Sequence, residues 1–344
     1  MTQKKMVLAN ATIKDVARAA NVSIATVSRI LNGKDTVSPL LAERVMAAVE
    51  ELKYHPNEMA RALKVKASRS IGLIIPDIEN PFFPALVRGV EDAAKVHDYA
   101  VILCNTDSKP EEEEKYIRFL QSKRVDGILF TGGSHSDRNV ELLSTLGIPV
   151  VLLDRRVGSQ LSTVITNNRL GGFMATEHLI KRGRRRIAFI SGPTELSSVQ
   201  ARKQGYDEAL GQYGLVLDQS LIQVGDFSFE SGYQAASRLV ASGHEFDAIF
   251  AANDLMAIGA IEYLLAYGLR VPAEIAVTGY DDIRMAGWYK PALTTVKQPV
   301  YSMGQSAMKI IIDRITGENR QYIEQIISPE LVIRESSGSK GASV

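Results

Sequence analysis

The stretch VSIATVSRILNG, Val22 to Gly33, decides how the amino-terminal part of the chain folds. Set on an α-helix, Ile24, Ala25, Ser28 and Arg29 fall at i, i+1, i+4 and i+5 and make one stripe, while Val27, Ile30 and Leu31 fall on another face. The second face has a core to join. The first is small, polar and basic, and suits contact with something other than protein. Ser23 stands as the cap of this helix, and Asn32 and Gly33 end it. Upstream, Thr12 caps a helix that reaches Ala19, with Asp15 three residues on to complement its amino end. Asn21 tolerates the left-handed backbone that a tight turn needs. A third helix starts at Ser38, with Pro39 in its first turn, and sends Leu41, Val45, Ala48, Val49 and Leu52 inward. Helix, short turn, helix and supporting helix is the helix-turn-helix arrangement.

The net charge of +1 conceals an asymmetry. Residues 1–70 hold twelve Lys and Arg against six Asp and Glu, a net of +6, which leaves −5 for the rest. A basic head on a mildly acidic body points to a polyanion as the partner of the head. An apolar content of 45% and a charged content of 23% are those of a globular protein. The longest apolar runs are too short for a bilayer, and no amino-terminal segment has the order of a signal peptide. The single cysteine, Cys104, has no partner for an internal disulfide and reads as a small buried hydrophobe. A cytoplasmic setting, with no membrane, is expected.

From Ser70 the period changes. Short apolar runs read as strands: SIGLIIP, AVILCN, DGILFTG, IPVVLLD, RIAFISG, DAIFAAN, EIAVTGYD and LTTVKQP. Amphipathic segments lie between them, at 84–98, 111–123, 171–182, 200–213, 230–242 and 255–267. Buried strands with helical crossovers imply parallel sheets covered on both faces. About ten strands exceed what one sheet usually holds. The expected fold is an amino-terminal all-α helix-turn-helix head followed by an α/β body of two doubly wound parallel-sheet lobes. The expected limits are 11–56 for the head, 57–69 for a linker, 70–336 for the body and 337–344 for a flexible tail. Within the body, one lobe takes about 70–168 and 299–326, and the other about 169–298 and 327–336.

Ligands of such sheets bind beyond the carboxyl ends of the strands. The candidates standing there are Asn80, Phe82 and Phe83 after the first strand, Asp154 and Arg155 after the fourth, Arg202, Phe227 after VGD, Asn253, Asp281 and Gln298. Carboxylates accept from hydroxyls, Arg and Asn donate, and aromatic faces pack on the C–H face of a sugar ring. Trp288 suits a cleft wall or an interface anchor, and Asp282 a cap on the following helix. Glu111–Glu114, after Ser108 and Pro110, read as a capping box. The five histidines show no metal-ligand spacing, no G-x-G-x-x-G follows a strand, and no nucleophile–base pair is evident. No metal, cofactor or enzymatic activity is expected.

TIKDVARAANVSIATVSRILNG, YHPNEMARALKVKASRSIGLIIPDIENPFF, FAANDLMAIGA, VTGYDDI and LTTVKQP together resemble the LacI/GalR family of bacterial transcription repressors, over about residues 11–335. NPFFPALVRGVE and LLDRR are most similar to its ribose repressors and to the periplasmic ribose-binding protein. The resemblance implies a periplasmic-binding-protein-like body and a DNA-contacting set of Thr12, Ser23, Ile24, Ala25, Thr26, Ser28, Arg29, Asn32, Arg61, Leu63 and Lys64. In the family, the equivalent of NEMARALK folds into a hinge helix on paired operator DNA. Leu63 matches the leucine that wedges into the minor groove, with Arg61 and Lys64 toward phosphates. The resemblance also places Phe82, Phe83, Asp154, Arg155, Arg202, Asn253, Asp281 and Gln298 on ribose-binding positions. It implies a repressor governed by a small sugar, ribose or a related pentose, reading a near-palindromic operator as a homodimer. The tail SSGSKGASV carries no leucine heptad of the kind that makes family tetramers. Two alternatives stay open: a catabolite-control regulator responding to a phosphocarrier protein, and a sugar-binding transport protein.

Overall fold

The computed structural model describes residues 11–31, 38–54, 68–133, 137–156, 161–319 and 321–338. They form two compact units, divided between Ser68 and Arg69.

The first unit is three helices, α1 (Ile13–Ala19), α2 (Ile24–Leu31) and α3 (Pro39–Glu51). Val16, Ala17, Val27, Val45, Ala48 and Tyr54 make its core. Asp15 Oδ2 accepts from the Thr12 backbone N–H at 3.0 Å and from its hydroxyl at 2.6 Å, closing the amino end of α1. Ser23 Oγ accepts from the Thr26 N–H at 3.1 Å and so caps α2. Asn21 takes a φ of 50°, which turns the chain between the two helices. Arg44, on α3, donates to the Ala20 carbonyl at 2.6 Å, placing a cation at the carboxyl end of α1.

The second unit holds two six-stranded sheets with the same central order. The first contains β1 (Ser70–Ile75), β2 (Ala100–Asn105), β3 (Gly127–Phe130), β4 (Val150–Leu153), β5 (Ser162–Thr166) and β11 (Glu324–Ile327), ordered 11-5-4-3-1-2. The second contains β6 (Ile187–Ser191), β7 (Ile222–Val224), β8 (Ala248–Ala251), β9 (Ala276–Asp281), β10 (Thr294–Lys297) and β12 (Glu330–Val332), ordered 12-10-9-8-6-7. All pairings are parallel except that of β10 with β12. The helices are α4 (Phe82–Val96), α5 (Pro110–Lys123) and α6 (Asp137–Ser144) in the first lobe, α7 (Asn168–Lys181), α8 (Ser197–Gln212), α9 (Phe229–Ala241), α10 (Asp254–Ala266) and α11 (Arg284–Trp288) in the second, and α12 (Val300–Thr316), which returns to the first. In each sheet the winding reverses beside its first strand, between β1 and β3 and between β6 and β8. Among the described residues, no helix is long and apolar enough to cross a membrane.

Glycines set how closely the covering helices approach. A Cβ at Gly89 of α4 would stand 2.1 Å from the Tyr301 carbonyl oxygen of α12, and one at Gly304 of α12 would stand 2.5 Å from that of Leu86. The same reciprocity joins α7 to α8 (Gly172 to Arg202 O, 2.1 Å; Gly205 to Arg169 O, 2.0 Å) and α9 to α10 (Gly232 to Met256 O, 2.2 Å; Gly259 to Phe229 O, 2.1 Å). At each crossing, backbone fills the space that a side chain would need.

Several expectations are corrected. The run at 111–114 makes no capping box: Ser108 is left-handed, Lys109 stands at the cap, and Glu113 is fully buried. Its carboxylate accepts from Gly133 N at 2.9 Å and Asn139 Nδ2 at 2.8 Å, which pins the segment after β3. Ser336 and Ser337 are buried, not part of a free tail; Ser337 Oγ bonds His178 Nε2 at 2.8 Å and Thr294 Oγ1 at 2.7 Å. Arg69, expected in the linker, is held on the body by its N–H to Asp126 Oδ2 at 2.8 Å. The sequence reading also omitted β5, β7, β11, β12, α6, α11 and α12.

Gly89→Ala is expected to lower stability by about 1–3 kcal/mol, because rigid backbone has to move. Gly211→Ala, on α8 with nothing within 4 Å of the new methyl, is expected to raise it by about 0.5 kcal/mol. Thermal denaturation of the two variants checks the pair; equal shifts would show that helix approach is not the constraint.

Candidate effector cleft and nucleic-acid interface

Both winding reversals face a single cleft of about 580 Å³. Its lining comes from the strand ends of both lobes: Pro76, Asp77 and Asn80 after β1, Thr131–Gly133 after β3, Asp154 after β4, Pro193 after β6, Phe227 after β7, Asn253 after β8 and Asp281 at the end of β9. This is where open α/β sheets place ligands.

Arg202 is the charged centre. It is 3% exposed, donates from Nε to Asn168 Oδ1 at 2.8 Å and from Nη1 to the Ala252 carbonyl at 2.6 Å, and lies 3.9 Å above the Tyr280 ring centroid. Those contacts fix its orientation and leave its charge to face the two carboxylates of the cleft. Burial raises the Asp154 carboxyl to about 6, against the opposing pull of Arg202 and the bond from Asn168. Burial likewise pushes Asp281 up, to about 7, against Arg202 and the Gln298 Nε2 donor at 2.7 Å, while Asp154 adds repulsion. Among the described residues, Asp154 Oδ1 and Gln298 Oε1 are buried acceptors without a hydrogen-bond partner. Both belong to residues that line the cleft, and a ligand with hydroxyl donors satisfies them.

The apolar side of the cleft is aromatic. Phe82 and Phe83 meet edge to face at 5.0 Å in the first lobe, and Phe227 and Phe229 line the second. Asn80 Oδ1 accepts from the Phe82 N–H at 3.1 Å and so fixes the start of α4. Phe227 has a φ of 74°, a left-handed value that is strained for a bulky residue. Asn253 Nδ2 holds the Phe227 carbonyl at 2.9 Å, while its Oδ1 caps α10 through Met256 N at 2.9 Å. Gly192 leaves room for the ring: a Cβ there would stand 2.4 Å from it. Asp154 and Asp281 are also left-handed, at φ 51° and 118°. Three of the candidate cleft residues are therefore held in backbone conformations that carry strain, a feature found at binding sites.

The structure brings Asn80, Phe82, Phe83, Asp154, Arg202, Phe227, Asn253, Asp281 and Gln298 together on this cleft. Arg155 is not part of its lining; it is 7% exposed and donates from Nη1 to the Gly133 carbonyl at 2.5 Å, supporting the segment that Glu113 also holds. Trp288 is 74% exposed and does not line the cleft. Asp282 does not cap α11; it accepts from Arg334 Nη2 at 2.6 Å, and Ile283 stands at the cap. Asp254 was missed. This fully buried carboxylate accepts from Thr295 Oγ1 at 2.5 Å and Ile283 N at 2.9 Å, tying α10 to the loop after Asp281. Burial, with the nearby Asp281 charge, holds its carboxyl well above the ordinary range. Its neighbours in FAANDLM suggest only a helix start, and its role depends on β10 and β9 lying alongside.

On the first unit, Ile24 is 44% exposed, Ala25 and Arg29 are exposed, and Ser28 is half-buried, while Val27 is buried in the core. Ser23 and Thr26 share a hydroxyl bond of 2.8 Å at the amino end of α2, and Thr12 stands at that of α1. Asn32, Arg61, Leu63 and Lys64 lie outside the described residues.

A helix-turn-helix unit on the same chain as a two-lobed, cleft-bearing receptor defines a ligand-responsive regulatory protein. Residues 12–57 match the model of bacterial regulatory proteins of the lacI family, and residues 68–336 match that of periplasmic binding proteins and the sugar binding domain of the LacI family. The chain belongs to the LacI family of DNA-binding transcriptional repressors, which carry a sugar-binding domain. It is 38% identical over 326 residues to the ribose operon repressor of Halalkalibacterium halodurans, covering 95% of this chain and 97% of that protein. The transcriptional regulator CelR–cellobiose complex is 36% identical, with a TM-score of 0.75 over 95% of this chain and 99% of that one. The lac repressor dimer bound to operator and the anti-inducer ONPF is 29% identical, with a TM-score of 0.87 over 96% and 100%.

The raised carboxyls set a sign. Asp281 and Asp154 hold protons in the folded protein at pH values where an unfolded aspartate, near 4, has lost them. Their contribution to stability is therefore present below about pH 4 and is lost as pH rises through 6 to 7. Asp281→Asn keeps the acceptor for Gln298 and removes the titration. The variant is expected to lose less stability than the parent between pH 4.5 and 7.5, measured by thermal denaturation of effector-free protein. Parallel curves would contradict the assignment.

Proposed function

We propose that the chain is an operator-binding repressor whose DNA affinity is set by a small sugar, ribose or a related pentose, held in the cleft between the two lobes. It acts in the cytoplasm as a homodimer, one head per half-site of a near-palindrome, without catalysis. The observation that carries this reading is the set of acceptors in the cleft interior: the Asp154 and Asp281 carboxylates and Gln298, flanked by aromatic rings from both lobes. Hydroxyls of a sugar ring donate to the former, and its C–H face packs on the latter. The ribose operon repressor among its relatives supports the choice of a pentose.

The coupling is a two-state equilibrium. Sugar contacts to both lobes favour the closed cleft, closure moves the first lobe relative to the second, and the linkers of the dimer are respaced. The shift in operator affinity is bounded by the difference in sugar affinity between the two states. In the head, Ile24 and Ala25 meet thymine methyls or clear the groove. Arg29 reads a guanine edge, and Thr12, Ser23, Thr26, Ser28 and Asn32 contact the duplex around it. Leu63 wedges into the minor groove, with Arg61 and Lys64 toward phosphates.

The test is an operator shift assay at fixed salt over pentoses, hexoses and nucleosides, with calorimetric titration of the same ligands. Arg29→Ala is expected to lose about 1–3 kcal/mol of preference for operator over scrambled duplex while sugar binding stays intact. Asp281→Ala is expected to lose sugar binding while operator preference stays. Loss of both functions in either variant would contradict the division.

A further inference from the structure

The cleft carries a charge pattern that a plain sugar site does not require. Among the described residues, six carboxylates line it, and Arg202 is the one cationic side chain. Asp154 and Asp281 sit beside Arg202 and already oppose its charge. The other four are more open to solvent: Asp77, half-buried, and Glu79, exposed, on the first lobe, and Asp226 and Glu230, both exposed, on the second. Asp77 Oδ1 accepts from the Glu79 N–H at 2.8 Å, and Asp226 Oδ1 from the Ser228 N–H at 2.9 Å, so both carboxylates are held in place by the backbone. Partial burial acts to raise the Asp226 carboxyl, but the bonds at Ser228 and Ser231 outweigh it and hold the group below the ordinary range. The two unpartnered buried atoms that belong to lining residues point the same way; the Thr278 and Tyr280 hydroxyls, also unpartnered, belong to residues outside the lining. Asp154 Oδ1 and Gln298 Oε1 are both acceptors, and Arg202 has already committed Nε and Nη1 to Asn168 and Ala252. A phosphate or carboxylate offers only acceptors and negative charge, which meets this lining with repulsion from both lobes and few donors to replace its water.

We propose that Asp77, Glu79, Asp226 and Glu230 form an anionic fence that selects the class of effector: the cleft admits uncharged, donor-rich polyols and rejects their phosphate esters. The inference rests on the sugar-effector reading above and narrows it. The regulator then answers to sugar before phosphorylation, so the reaction class that removes its signal is phosphoryl transfer to the sugar.

Calorimetric titration of the full chain with ribose and ribose 5-phosphate, and with glucose and glucose 6-phosphate, tests it. The neutral member that binds is expected to bind at least tenfold more tightly than its ester at low salt. That ratio is expected to narrow at 0.5 M salt, because exposed charges are screened. It is also expected to narrow in the double variant Asp226→Asn with Glu230→Gln, whereas a merely structural role for these residues would leave it fixed. An ester that binds as tightly as its parent, or a ratio unmoved by both salt and substitution, overturns the fence and leaves the sugar reading standing. Absence of heat from all four compounds overturns the monosaccharide reading and the fence with it.

Discussion

The body of this protein depends on how closely its covering helices approach one another. At three crossings, each backbone occupies the space a partner's Cβ would take, and the two glycines of each pair answer one another. The crossings are not distributed at random with respect to the cleft. The helix bearing Gly89 begins at Phe82 and Phe83, the helix bearing Gly205 carries Arg202 one turn earlier, and the helix bearing Gly259 is capped by Asn253. A helix that rode one methyl higher would lift its cleft residue with it, since interiors at crystal-like density have no slack to absorb the change. Packing and ligand geometry are thus set by the same backbone contacts.

Within that frame the cleft is an electrostatic compromise. A buried guanidinium with two buried carboxylates beside it is expensive to desolvate, and none of the three is neutralised by an ideal bidentate pair. Arg202 gives its donors to an amide and a carbonyl, and faces the carboxylates through space. The consequence is a set of acceptors whose hydrogen-bonding demand the protein alone leaves partly unmet at Asp154 and Gln298. Such a site gains from a ligand that brings donors, and it gains most when water is excluded by closure.

The strand ends were legible in the sequence because parallel strands buried on both faces read as continuous apolar runs, and their terminal polar residues stand out against them. That is why Asn80, Asp154, Asn253 and Asp281 could be found. The first unit was legible for a different reason: Thr12, Asp15, Ser23 and Pro39 are local signals, each acting within one turn of its own helix. What escaped was non-local or faint. β7 and β12 have three residues each, β11 is a half-exposed edge strand, and α12 has Pro299 at its N-cap and so no side-chain cap. Asp254, Glu113 and the support role of Arg155 depend on partners 20 to 41 residues away, which no window of sequence reveals. Arg155 shows the limit plainly. It follows Asp154 on the same strand end, yet its side chain goes to a backbone carbonyl of the neighbouring segment.

The connections between the lobes are the route by which, on the proposed reading, a ligand of this cleft would act at a distance. The chain passes between the sheets after β5, after β10 and between β11 and β12. Gln298 lies on the second of these passages, directly after β10, and it bonds Asp281, which ends the neighbouring strand β9 of the same sheet. A molecule that touched one lobe alone would bind the open and closed forms equally and shift nothing, however tight its binding. One that bridges Asp154 of the first lobe to Arg202 and Asp281 of the second, and satisfies Gln298 between them, draws its affinity from the closed form. On the proposed two-state reading, the differential contact that allostery requires would come from which strand ends carry the polar residues, and the connecting segments would carry it from one glycine-packed lobe to the other.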